Sequence, residues 1–245
     1  MKAVILAGGK GTRLAPYTTI LPKPLMPIGD MPILEIVLRQ LAQCGFNDVS
    51  LAVGYLAELL MAYCGDGSRF GLKIDYSREE QPLGTAGPIS LVSNLDETFL
   101  VMNGDLLTTL DYREMVRFHR ERKAIATLAA YEREINIDLG VIETDEDNCV
   151  KDYIEKPTYK YLVSTGVYIF EPDVLKFIVP NKRLDLPELV MRLKAEGHPV
   201  NVYRFGGYWL DIGRHDDYEI AVQEFLRHRD EFLPVDSSGS KGEQA

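Results

Sequence analysis

Positive charge is in short supply in this chain. Its 245 residues carry 27 Lys and Arg against 37 Asp and Glu, a formal net charge of -10 at pH 7. Nucleic-acid binding needs a basic face to neutralise phosphates, so no nucleic-acid partner is expected. Small phosphorylated ligands stay open, because a few local cations and backbone N–H groups suffice for them. Cysteine is scarce too: Cys44, Cys64 and Cys149 are far apart and odd in number. No pair has metal-ligand spacing, so free thiols in a reducing compartment are expected. No apolar run reaches the roughly 18 residues that mark a membrane span. Nor does a signal-like stretch precede the first apolar run. The expectation is a cytoplasmic protein with no membrane partner. Internal repeats and a dividing linker are also absent, so one domain over 1–234 is expected, with a small, polar and disordered tail at 235–245.

What the chain does have is a run of short apolar stretches: KAVILA at 2–7, VSLAVG at 49–54, LKIDY at 72–76, FLVMNGD at 99–105 and AIATLAAY at 124–131. Helical patterns lie between the early ones. Ile33, Ile36, Val37, Leu38 and Leu41 form one stripe, with Asp30 as expected cap, Pro32 in the first turn and Gly45 at the end. Leu56, Leu59, Leu60 and Tyr63 form another. Strands alternating with helices give an α/β sheet, mostly parallel and covered on both faces. After about residue 130 the strand-like segments crowd together, which predicts a smaller mixed or antiparallel part over about 131–230 beside the parallel α/β half over about 1–130. A helix is expected over 185–196, with Asp185 and Glu188 as a capping box, and another over 214–229.

The first apolar run ends in "LAGGKGTRLAP", residues 6–16. A parallel strand that ends in glycines places them at the ligand edge of an open α/β sheet. Gly8, Gly9 and Gly11 let backbone N–H groups approach a phosphate with no Cβ in the way. Arg13 adds a fork-shaped donor suited to phosphate. Two better-known phosphate loops are excluded. The dinucleotide fingerprint fails because Leu14 stands where its third glycine belongs, and the P-loop fails because no Lys-Ser or Lys-Thr follows Gly11. Further on, "LPKPLMPIG" sets Lys23 between Pro22 and Pro24, on a stiff backbone that lowers the entropy cost of ordering the side chain on a ligand.

Together "LAGGKGTRLAP" and "LPKPLMPI" resemble the signature of the sugar-1-phosphate nucleotidylyltransferases, the nucleotide-sugar pyrophosphorylases, over roughly residues 1–230. "EEQPLGTAGPI" at 79–89 is most similar to the mannose-1-phosphate guanylyltransferase branch. The resemblance implies a doubly wound, Rossmann-like core with a sugar-binding subdomain, a nucleotidyltransferase fold of the glycosyltransferase-A kind. It implies nucleotide binding by Leu6, Ala7, Gly8, Gly9, Gly11, Thr12, Arg13, Lys23, Gly84, Thr85 and Gly104. It implies sugar-phosphate binding by Gly140, Glu155, Lys156, Ser164 and Trp209. It also implies Mg²⁺ on Asp105 and Asp211, and catalysis by Arg13, Lys23, Asp105, Lys156 and Asp211. The expected partners are an NTP, with GTP favoured, and a sugar 1-phosphate; a homo-oligomer is possible. UTP, dTTP or CTP as donor, or a non-catalytic sensor that binds a nucleotide sugar, are the alternatives. Two departures stand out. Ser164-Thr165-Gly166 occupies the place of the family's usual Asn-Ala-Gly, and Arg214-His215 the place of a common Thr-Pro. Many relatives continue into a left-handed β-helix, which these 245 residues are not expected to include.

Overall fold

A computed structural model describes residues 1–233, so the expectation for 235–245 lies outside the described residues. Thirteen strands and six α-helices follow one another as β1 (Lys2–Ala7), β2 (Pro27–Ile28), β3 (Met31–Pro32), α1 (Ile33–Gln43), β4 (Asp48–Val53), α2 (Ala57–Cys64), β5 (Lys73–Arg78), β6 (Phe99–Asn103), β7 (Leu106–Thr108), α3 (Tyr112–Arg122), β8 (Ala126–Asn136), β9 (Val141–Thr144), β10 (Val150–Ile154), β11 (Thr158–Phe170), α4 (Leu186–Ala195), β12 (Val200–Phe205), β13 (Trp209–Asp211), α5 (His215–Arg227) and α6 (Arg229–Phe232).

Seven strands form the central sheet in the order β12-β8-β11-β6-β1-β4-β5. β1 pairs in parallel with β4 on one side and β6 on the other, β4 with β5, and β8 with β12. β11 alone runs against its neighbours β6 and β8. The fold is therefore mixed α/β with a mostly parallel sheet. The apolar runs follow from its two covered faces. Along β1, Ala3, Ile5 and Ala7 pack into one buried cluster with Leu34, Leu38 and Leu60, while Val4 packs into another with Ile89, Phe99 and Leu189. Each fully buried aliphatic side chain of this kind contributes about 1.5–3 kcal/mol. A third cluster, with Leu14, Met26, Ile33 and Phe225, seats α5 against the segment that carries Lys23.

The chain leaves β1 toward β4 and β5, then returns to place β6 on the other flank of β1. Strand order reverses at that point, and the crevice beyond the carboxyl ends of β1 and β6 is where open α/β sheets take ligands. The expected glycine loop and the MNGD turn both lie there.

Two expected caps are corrected. Asp30 does not cap α1, whose flanking residue is Pro32 with no side-chain cap; Asp30 instead takes both nitrogens of the Arg229 guanidinium at 2.6 and 3.1 Å. The Asp185–Glu188 box does not form either. Asp185 Oδ1 accepts the Thr85 N–H at 3.1 Å, Thr85 Oγ1 accepts the Leu186 N–H at 2.8 Å, and Glu188 pairs with Arg192. In both cases a partner distant in sequence outcompetes the local backbone. The helix expected over 214–229 breaks at His228 into α5 and α6.

His119 joins α3 to the sheet. It is fully buried, with Nδ1 2.8 Å from Thr127 Oγ1 and Nε2 3.0 Å from Glu171 Oε1. Burial outweighs the Glu171 carboxylate and holds the imidazole below its ordinary 6.5. The unfolded chain thus takes up this proton first, so stability is full above that value and falls as pH drops through it. His119→Asn is expected to flatten the loss of melting temperature between about pH 7 and about pH 5, whatever it does to stability at neutral pH. Parallel melting curves for variant and wild type across that range would refute this.

Candidate active site

The glycine loop leaves β1 and lines a cavity of about 1230 Å³ with every residue from Leu6 to Arg13. Lys23, Gly84, Thr85, Asn103 and Asp105 line it as well. Of the eleven residues expected to bind nucleotide, only Gly104 is not on its wall. It lies just beneath, its N–H bonded to Leu6 O at 3.0 Å, and an added Cβ would sit 3.0 Å from Ile5 and 3.2 Å from that carbonyl. Gly11 adopts φ +61 where the loop turns into the Thr12–Leu14 helical turn, a conformation that favours glycine. Gly8 is crowded by a side chain instead. A Cβ there would fall 2.3 Å from Glu79 Oε1, and the other Glu79 oxygen accepts the Leu83 N–H at 3.0 Å. The Glu79 side chain thus packs against Gly8 while it bonds within its own segment after β5. Nothing in the sequence signals this packing, because Gly8 and Glu79 are far apart along the chain.

Lys23 sits on a short helical turn over Lys23–Leu25, and Leu25 N–H bonds to Pro22 O at 2.8 Å. The side chain is 10% exposed. Its ammonium pairs with Asp105 and lies 3.7 Å from Asp211 Oδ1. The carboxylates meet because β13 pairs antiparallel with β7, which sets Asp211 opposite Leu106, the residue after Asp105. A further bond, Ile212 N–H to Asp105 O at 3.3 Å, closes the junction. Burial raises the Asp211 carboxyl above its usual range and the Asp105 charge raises it further, against the pull of Lys23 and Arg13.

Two hard oxygen donors thus share one buried ammonium, and like-charge repulsion between them is not fully cancelled. That arrangement fits a divalent cation. Among the described residues no group of three or more His, Cys, Asp or Glu is placed to hold a metal ion by itself. An ion here would complete its shell with water and substrate phosphate, the usual habit of Mg²⁺.

A second cavity of about 740 Å³ opens on the far side of Asp211. Arg13 lines both cavities, and the second also has Tyr131, Glu132, Arg133, Glu134, Trp209, Asp211, Arg214 and Asp217 on its wall. Trp209 Nε1 donates to Thr165 O at 2.9 Å, and its ring lies 5.8 Å from that of Tyr131. Thr165, at the departure from Asn-Ala-Gly, is buried and donates to Ala129 O at 3.0 Å. Arg214 opens α5, where Asp217 accepts its N–H at 2.9 Å and that of Gly213 at 3.2 Å; His215 Nε2 is 2.9 Å from Ala15 O and so tethers α5 to the glycine-loop segment.

The remaining sugar-side residues are not gathered with these. Glu155 and Lys156 are exposed in the turn after β10, Lys156 at φ 45, and neither lines either cavity. Gly140 packs under the Tyr153 ring, and Ser164 Oγ lies 3.0 Å from the Tyr168 hydroxyl. The structure thus assembles the phosphate end of the expected site and leaves these four residues apart. Arg133, Tyr131 and Arg214 were missed as site residues. Of these only Arg214 carried a sequence signal, its departure from Thr-Pro.

The family model described as nucleotidyl transferase matches residues 2–228. A UTP–glucose-1-phosphate uridylyltransferase of Synechocystis is 37% identical over 246 residues, 92% of this chain and 63% of that protein. A mannose-1-phosphate guanylyltransferase of Mycobacterium tuberculosis is 36% identical over 233 residues, 92% of this chain and 64% of that protein. The chain thus spans less than two thirds of the length of these curated relatives. Among solved structures, a putative glucose-1-phosphate thymidylyltransferase of Bacillus anthracis superposes with a TM-score of 0.73 at 25% identity, over 91% of this chain and 94% of that one. HddC of Yersinia pseudotuberculosis complexed with GMP-PN does so at 0.70 and 25%, over 91% and 99%. On the match across nearly its whole length, this chain belongs to the nucleotidyl transferase family.

Proposed function

We propose that this chain transfers a nucleotidyl group from an NTP to a sugar 1-phosphate in the cytoplasm, releasing pyrophosphate. The observation that carries the reading is the junction of Lys23, Asp105, Asp211 and Arg13 where the glycine-loop cavity meets the second cavity. A phosphate monoester has a second pKa near about 6, so the acceptor is a dianionic nucleophile at neutral pH and no general base is needed. Its oxygen forms a bond to the α-phosphorus. The bond from that phosphorus to the bridging oxygen breaks, and the electron pair leaves with pyrophosphate. The chain's task is to bring two anions together and hold them in line. The loop N–H groups from Gly8 to Arg13 and the Arg13 guanidinium cradle the phosphates, and Lys23 offsets charge from the cavity floor. Asp105 and Asp211 would hold Mg²⁺, which when bound supplies positive charge beside the phosphates.

GTP is the favoured donor, on the likeness of the 79–89 segment to guanylyltransferases. Gly84 and Thr85 lie on the cavity wall beside Glu80, whose carboxylate suits the adjacent N–H donors of guanine. ATP presents an amino donor where guanine presents its O6 acceptor, so it is used poorly. UTP is the second reading, because Gln81 lines the same wall and a carboxamide matches the donor and acceptor of a uracil edge. A matrix of GTP, UTP, dTTP, CTP and ATP against several sugar 1-phosphates, read by pyrophosphate release, decides. The highest kcat/KM is expected with GTP. A higher value with a pyrimidine nucleotide for every acceptor overturns the guanine assignment, and no release with any pair overturns the transferase.

On the likeness of its YIEKP segment to the family alone, Lys156 is proposed to hold the acceptor phosphate, although it lines neither cavity. Lys156→Ala should weaken sugar-phosphate binding at least about tenfold, as loss of a charge-assisted hydrogen bond does, and NTP binding far less. Separate calorimetric titrations measure both. Equal damage, or none, removes Lys156 from the site.

A further inference from the structure

Nine of the described arginines pair with a carboxylate; Arg13, Arg120, Arg122, Arg133, Arg204 and Arg214 do not. Three of those six, Arg13, Arg133 and Arg214, line the second cavity. In a chain of net charge -10 that concentration calls for an anion. The carboxylates on the same wall do not supply it. Glu132 and Glu134 both pair with Lys160, at 3.1 and 2.8 Å. Asp217 accepts backbone N–H groups, and Asp211 shares Lys23 with Asp105.

The reaction's own phosphates account for only one of the three. Arg13 lies at the junction with the first cavity, beside Gly213, where a Cβ would come 3.3 Å from its guanidinium. Arg133, on β8, and Arg214, at the start of α5, belong to the second cavity alone. The Trp209 and Tyr131 rings form an apolar surface in the same cavity, of the kind a sugar ring stacks on. At about 740 Å³ it is large enough for a substituted hexose.

We infer that the acceptor is a sugar 1-phosphate carrying a second anionic group, a carboxylate or a second phosphate, held by Arg133 and Arg214 beyond the Trp209–Tyr131 surface. Guanidinium forks suit either anion, and the two arginines act as specificity residues. The inference rests on the transferase reading, whose failure has its own signature.

The experiment compares kcat/KM for glucose 1-phosphate, glucuronic acid 1-phosphate and glucose 1,6-bisphosphate with the preferred NTP. It uses the wild type, R133Q, R214Q, the double variant R133Q/R214Q and the charge-keeping double variant R133K/R214K. The wild type is expected to favour at least one of the doubly anionic acceptors over glucose 1-phosphate by at least about tenfold, a factor set by charge-assisted hydrogen bonds. That ratio should fall to about one in R133Q/R214Q and be partly restored in R133K/R214K. The two anionic acceptors separate carboxylate from phosphate. A wild type that shows no preference overturns the inference and leaves the transferase standing. So does a double variant whose ratio is unchanged, or one that shifts only KM for the NTP. Absence of pyrophosphate release with all three acceptors and with mannose 1-phosphate overturns both.

Discussion

Asp105→Asn is expected to lower turnover at least about 100-fold while leaving the fold intact. The amide keeps the shape of the carboxylate in the turn between β6 and β7 but removes its charge. Two consequences follow from the geometry. The pair with Asp211 becomes a single negative charge, too weak a site for a divalent ion, and Lys23 loses its nearer partner. Asp211→Asn should cost a similar factor. Burial and the Asp105 charge already hold the Asp211 carboxyl above its usual range, so the fold gains little from having it ionised. The double variant should be hardly worse than either single one, because groups that act as a unit are not additive. Pyrophosphate release under saturating substrates measures the loss, with circular dichroism melts to show that the fold survives. A chelator should abolish wild-type turnover, and added Mg²⁺ should restore it in the wild type only. Near wild-type rates in Asp105→Asn would sink the assignment.

The second large effect is on stability. Lys23 is the ammonium shared by Asp105 and Asp211, and it is nearly buried. Lys23→Met leaves two neighbouring carboxylates without their counter-charge. Removing one partner of a fully buried pair costs about 3–5 kcal/mol. The carboxylates here are 21% and 42% exposed, and water screens part of that cost, so about 1–3 kcal/mol is expected. In a chain of this size that is a drop of very roughly 2–12 °C in melting temperature. The ion that the two carboxylates are proposed to hold should recover part of the loss. Melting curves in chelator and then in millimolar Mg²⁺ test both halves. An unchanged melting temperature in chelator would show that Lys23 is not the charge that keeps this pair in place. Recovery by Mg²⁺ in Lys23→Met but not in Lys23→Met/Asp105→Asn would tie it to the carboxylates.

The parts of this architecture that could be read in advance share one property: their cause is local. β1 is legible because both its faces are buried and it ends in glycines; α1 is legible from its apolar stripe. The glycine loop follows from the same stretch. What could not be read is set by partners far along the chain. Asp30 looks like a helix cap until Arg229 takes it, and Asp185 until Thr85 supplies the cap from a hundred residues away. Lys23 reads as a phosphate ligand from its proline flanks, but nothing near it reveals that it is buried between two carboxylates. The second cavity is the least legible part. Glu155 and Lys156 come with a motif yet line neither cavity, whereas Arg133 lies on a β-strand with no motif and Arg214 is marked only by the departure from Thr-Pro.

β11 has a consequence for how the chain is made. It is the one reversed strand, and it sits between β6 and β8 in the middle of the sheet. As the chain emerges from the ribosome, β1, β4, β5 and β6 can pair among themselves, since all four precede residue 104. One edge of β6 then waits. β7, α3, β8, β9 and β10 must all be synthesised before β11 arrives to cover it. Through that interval the backbone of Phe99–Asn103 is an open ladder flanked by fully buried-type side chains, the kind of edge that pairs with other chains. The nascent chain is most prone to aggregation in this window, and a pause in translation just before Thr158 would prolong it.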